Sequence, residues 1–234
     1  MNDEVDAARQ ALRTPRAAAI SGIAFSVLLT ASLVLIRLAV PGNPRTASVA
    51  VANTALRNSL LVALNLAPFV GIAFLWFIGV VRDRMGQHED RFFASVFLGS
   101  GILFVAMLFV TTAMAGGLIT SATGASGDLQ ASDAWRIGRA VMYTLMTTYA
   151  MRMAAVFMIS TATIALHTAI MPQWLGLLGY AVALVLLLSV GYLPWVEVLF
   201  PAWVFVVSLY ILIASFHEPR KAPYRSSLGG SATS

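Results

Sequence analysis

Six nearly uncharged apolar runs, each about as long as a bilayer crossing, occupy most of this chain: 17–40, 60–81, 92–120, 147–167, 174–193 and 195–216. A hydrocarbon core roughly 30 Å thick takes about 20 helical residues to cross. Backbone groups in lipid must be satisfied within the segment, so long continuous runs specify helices, whereas a barrel would show short alternating ones. The rest of the composition agrees. Of 234 residues 59% are apolar, 11% are charged, and the mean hydropathy is +0.83. So few ionisable side chains cannot cover the surface of a 25.0 kDa water-soluble globule.

The sequence therefore predicts an all-α integral membrane protein, a six-transmembrane-helix bundle. Residues 1–16 form a cytoplasmic N-terminal segment, 17–216 the membrane domain and 217–234 a disordered cytoplasmic tail containing Pro219, Pro223 and Gly229-Gly230. Pro41-Gly42-Asn43-Pro44, Met171-Pro172-Gln173 and Leu193-Pro194 punctuate the runs, the last as a tight turn joining an antiparallel pair. The first run is too long for the apolar region of a cleaved signal peptide.

Basic residues set the orientation. With the N-terminus inside, nine Lys and Arg face the cytoplasm and five (Arg37, Arg45, Arg57, Arg136 and Arg139) face outward, which places both termini in the cytoplasm of a bacterial inner membrane. The basic pI reflects these interfacial residues, so no nucleic-acid partner is expected. With no cysteine, disulfides and thiolate chemistry are excluded.

The second and fourth helices can begin well before the bilayer on the outer side, the fourth at Asp133, which suits an N-cap. They would carry Asn53, Arg57, Arg136 and Arg139 as solvated helix ends or as a docking surface for a partner. The link between the third and fourth helices, 121–131, is rich in Gly, Ser and Ala and reads as a mobile loop.

Ionisable residues inside lipid are costly and mark function more often than in water. Arg152 and Glu197 fall within runs at similar depth and are expected to pair. Arg37 and Asn65 lie in the same leaflet. The set Arg37, Asn65, Arg152 and Glu197 reads either as a structural ion pair, with Arg37 snorkelling to headgroups, or as a site for a lipid phosphate or carboxylate held by guanidinium groups. His88, His167 and His217 all fall on the cytoplasmic side but lack ligand spacing, so no metal and no cofactor is expected. Hydrolase, nucleotide and dinucleotide motifs are absent. Gly99-Ser100-Gly101, Ala113 with Gly117, and Gly176 with Gly179 read as close-packing sites, and the methionines between 142 and 171 as core filling.

Ala67-Pro68-Phe69-Val70-Gly71 through Arg91, and Met171-Pro172-Gln173-Trp174-Leu175-Gly176, resemble uncharacterised polytopic membrane proteins widespread in high-GC actinobacteria. One Lys against fourteen Arg agrees. The resemblance implies an inner-membrane helical bundle and transfers no catalytic role. The leading expectation is a non-enzymatic accessory or scaffolding subunit of a larger cell-envelope complex, with lipid transport as the leading pathway. Its partners would be membrane lipids and an integral membrane protein or further copies of itself. The alternatives are a small transporter or anionic-lipid-binding protein using the Arg/Glu set, and an intramembrane metal-dependent hydrolase using the histidines.

Overall fold

The computed structural model describes residues 15–40, 53–85, 91–124, 133–167, 172–189 and 195–217. These are helical, with no strand among them. Helix α1 spans Pro15–Ala39, α2 Thr54–Met85 and α3 Arg91–Gly124. Helix α4 is one rod of 35 residues, Asp133–His167, with a π-helical segment, Leu145–Ala150, between its α-helical parts. Helix α5 is Gln173–Leu188, and a 3-10 turn, Val196–Val198, leads into α6, Leu199–His217. Residues 121–124 continue α3, where composition suggests loop from 121. Expectations for residues 1–14, 41–52, 86–90, 125–132, 168–171, 190–194 and 218–234, including the Leu193-Pro194 turn and the tail, lie outside the described residues.

Local chemistry sets several helix starts. The Asn53 side-chain oxygen accepts the Ala55 N–H at 2.9 Å, capping α2 and satisfying one of its orphan donors. Asp133 opens α4, where it also receives Arg136 at 3.4 Å. Both helices therefore start ahead of the apolar run they contain. Five of the helical rods are long and apolar enough to cross a membrane, which fits a multi-pass membrane protein. The sixth, α5, is apolar but only about 24 Å long.

Neighbouring helices alternate in direction, as paired contacts show. Phe25 meets Phe74 near Gly22 and Phe77 for α1 and α2, and Gly101 meets Ile78 for α2 and α3. Phe97 stacks on Phe157 between α3 and α4, Leu166 covers Gly176 between α4 and α5, and α6 returns along α1. The centre is aromatic. Phe25, Phe74, Phe77, Phe97, Phe104, Phe157 and Phe200, from five helices, form one cluster with ring centroids 4.4 to 6.3 Å apart. Met142, Met146, Met151 and Met158 are buried in the same apolar core, so these methionines of α4 fill core.

Small residues set the closest approach. A Cβ on Gly22 would lie 2.0 Å from the Ser208 hydroxyl of α6 and 2.8 Å from the Phe77 ring of α2, so α1 seats between those helices only with glycine there. Gly101, Gly176 and Gly179 are close-packing sites as expected, whereas Gly99 and Gly117 face open space. Gly22→Ala is expected to destabilise the bundle by about 1–3 kcal/mol through overpacking. Gly99→Ala should be neutral or slightly stabilising, and thermal melting of the two variants in detergent measures the difference.

Candidate functional site

One end of the bundle gathers the C-terminus of α1, the first part of α4 and the entry to α6. Arg37 is the basic residue of the last turn of α1, where a cation suits the helix dipole. Glu197 lies in the 3-10 turn before α6. Because α6 returns along α1, the two side chains meet across 160 residues of sequence in a hydrogen-bonded ion pair. The pair is well shielded, with the Arg37 side chain 16% exposed and that of Glu197 only 3%.

Two aromatic rings flank the guanidinium. Its carbon lies 5.7 Å from the Tyr143 ring centroid and 5.8 Å from that of Trp195. A cation facing ring π-systems gains about 0.5–2 kcal/mol per contact, most where water is excluded. Trp195 takes a left-handed backbone conformation, φ 68°, which an L-residue adopts at a cost of about 1–2 kcal/mol. The geometry holds that strain in place: the Val198 N–H donates to the Trp195 carbonyl at 3.1 Å, and the ring stays against Arg37. The Tyr143 hydroxyl donates to the Val40 carbonyl, one of the orphan acceptors at the end of α1, and thereby ties α4 to α1. Arg139, one turn earlier on α4, covers the same tyrosine ring at 5.6 Å. Two guanidinium groups, one carboxylate and two rings thus join three helices, with one net positive charge.

No family model, curated protein or solved structure matches the chain.

The expected partner of Glu197 is corrected. It is Arg37, and Arg37 does not snorkel alone. Arg152 is half-buried on α4 and has no ion pair among the described residues. The reason is packing. The part of α4 that carries Arg152 lies against α3 and α5, while the helix beside the Glu197 turn is α1. Depth contributes as well: Arg152 is about 22 Å from the His167 end of α4, whereas Glu197 is about 30 Å from the His217 end of α6. Asn65 is exposed on α2 and donates its amide to the Leu61 carbonyl one turn back, apart from the pair.

Of the residues expected at a docking face, Asn53 caps α2, Arg57 is half-buried, Arg136 is exposed beside Asp133 and Arg139 covers Tyr143. Tyr143 and the role of Trp195 were not legible as site features, although the i, i+4 spacing of Arg139 and Tyr143 is a readable stacking signal. His167 is exposed at the end of α4, and His88 lies outside the described residues. Among the described residues no three His, Cys, Asp or Glu side chains are grouped as metal ligands.

Proposed function

We propose that this protein is a non-enzymatic accessory or scaffolding subunit of a larger assembly in a bacterial inner membrane, crossing it six times with both termini in the cytoplasm. The observation that carries this reading is the start of α4. A rod of 35 residues is about 52 Å long, some 20 Å more than a crossing needs, and the surplus at its Asp133 end is a folded, two-faced surface. One face, Trp135, Gly138 and Met142, is buried against the bundle. The other presents Arg136 beside Ile137 and Val141, which are 63% and 40% exposed one turn apart. Apolar side chains displayed beyond the span suit a protein partner, either another membrane protein or a second copy.

The polar groups inside the spans support a structural role. The buried hydroxyls of Ser26, Ser100, Thr111, Thr112, Ser160 and Thr161 donate back to carbonyls of their own helices. The shielded Arg37 and Glu197 neutralise each other. The hydroxyls are satisfied within their own helices and the ion pair joins α1 to the entry of α6, which is the pattern of packed spans rather than of a lined path. An assembly that moves lipids is the pathway this reading favours.

Purification in mild detergent followed by quantitative mass spectrometry tests it. A protein partner at fixed stoichiometry, or a defined homo-oligomer, is expected, and Ile137→Glu combined with Val141→Glu should release it by at least about tenfold without changing the melting of the chain. A wild-type chain that purifies alone as a monomer, or an association indifferent to both changes, would overturn the reading.

A further inference from the structure

Arg152 lies within an apolar run and has no ion pair among the described residues. It lies on the outward strip of α4, where Thr148, Val156 and Ile159 are also only half-buried and Tyr149 is 52% exposed, while Met151, Ala154, Ala155 and Met158 face the core. Thr148 and Tyr149 precede it by four and three residues in the π-helical segment, and their exposure puts them on the same outward strip as Arg152. Helical side chains lean toward the N-terminus of their helix, which carries the guanidinium toward those two hydroxyls and toward the nearer membrane surface.

The hydroxyls are notable for what they do not do. Thr147 next door donates to the Tyr143 carbonyl at 2.8 Å, and Thr163 donates to the Ile159 carbonyl at 2.8 Å, the usual fate of hydroxyls in lipid. Thr148, Tyr149 and Arg152 make no side-chain hydrogen bond among the described residues. Thr148 and Tyr149 lie within the π-helical segment Leu145–Ala150, an irregularity that resets which residues stack above Arg152 and that recurs at functional sites.

Counting from His167, Arg152 lies about 22 Å along a crossing of roughly 30 Å, so its side chain spans most of the remaining distance to the headgroups. A guanidinium with two hydroxyls on its headgroup side is a donor set for anionic oxygens, which it holds bidentately. Both α3 and α5 pack against this part of α4, and Arg152 is half-buried on the strip they leave uncovered. A phospholipid matches this order of groups, its phosphate at Arg152 and the hydroxyls and its acyl chains along the half-buried Val156 and Ile159 deeper on the same strip.

From this juxtaposition we infer that Thr148, Tyr149 and Arg152 form a binding site for the phosphate of a phospholipid in the leaflet at the Asp133 end of the bundle. The site is separate from the Arg37 and Glu197 pair and from the docking face at the start of α4, so it can stand or fall independently of the scaffolding role.

The full chain, exchanged from detergent into phosphatidylglycerol and examined by native mass spectrometry, should retain one lipid. Arg152→Gln should lower that occupancy by about fivefold or more, with Arg152→Lys intermediate because it keeps the charge and loses the bidentate fork. The pair Thr148→Val with Tyr149→Phe should weaken retention about threefold and serves as the deciding variant if Arg152→Gln fails to fold. A galactosyl diacylglycerol, which lacks phosphate, should not be retained. Equal retention by wild type and both variants, or of both lipids, would overturn the site, and displacement by millimolar inorganic phosphate would overturn its assignment to lipid. A photo-crosslinking residue in place of Tyr149 should yield lipid adducts in native membranes. A protein adduct in their place would assign the strip to a partner and count against the inference.

Discussion

Arg37→Leu is expected to lower the stability of the bundle by about 3–5 kcal/mol, read as a large fall in the thermal or SDS-induced unfolding midpoint followed by circular dichroism. The change leaves Glu197, with a side chain only 3% exposed, as an uncompensated carboxylate in a poorly hydrated site. It also removes the cation between Tyr143 and Trp195, and with it a contact that offsets the left-handed backbone of Trp195. Glu197→Leu should be milder. Arg37 is 16% exposed, keeps both rings, and has a long side chain that can reach headgroups. The double change Arg37→Leu with Glu197→Leu should return stability to within about 1–2 kcal/mol of wild type, since a buried ion pair recovers little beyond its own desolvation cost. A double variant as unstable as the sum of its parts would mean that the two side chains act separately.

Phe74→Ala is expected to be the most damaging change in the aromatic core, at about 3 kcal/mol. In water a buried Phe→Ala change costs about 3–5 kcal/mol, the sum of a transfer component and a cavity component. Helices in lipid leave the transfer component largely behind, because their unfolded reference is already in hydrocarbon, so the estimate falls at the lower edge. The cavity component stays. Phe74 touches five other rings, of Phe25, Phe77, Phe104, Phe157 and Phe200, at centroid distances of 4.4 to 6.3 Å, and four other helices cannot all collapse inward at once. Phe69→Ala, five residues earlier on the same helix and 60% exposed, should change the unfolding midpoint little. Equal effects at the two positions would show that packing at the cluster does not hold the helices together.

These expectations draw unequally on the sequence. The helical class was legible because lipid leaves the backbone no alternative, and the early start of α4 was legible because Asp133 opens a stretch with one glycine and no proline before His167. The early start of α2 was legible in the same way, but Asn53 reads in sequence as a solvated helix end or a docking residue, and only the tertiary structure shows it capping the helix. The continuation of α3 to Gly124 was missed because Ser, Thr and Gly at a helix end look like loop in composition alone. The π segment has no signal in the run of apolar residues around it.

The charged residues show the limit most clearly. Their types and approximate depths were readable, and each of Arg37, Arg152 and Glu197 was identifiable as a group needing compensation. Their pairing was not, because two arginines competed for one carboxylate and hydropathy carries no information about which helices are neighbours. Gly22, missed among several more conspicuous glycines, contributes to the answer: it lets α1 lie close against α6, the helix that Glu197 introduces.

Taken by itself, the amino-acid order determines that this chain forms long helices in lipid and where its charges interrupt them, because hydrogen bonding without water is satisfied locally, residue by residue. Only the tertiary structure decides that α6 returns beside α1, that Arg37 is neutralised while Arg152 is left facing outward, and that Tyr143 and Trp195 close around the pair. Those outcomes depend on van der Waals fit between distant helix surfaces, which sets adjacency and is not encoded in the periodicity of any single segment.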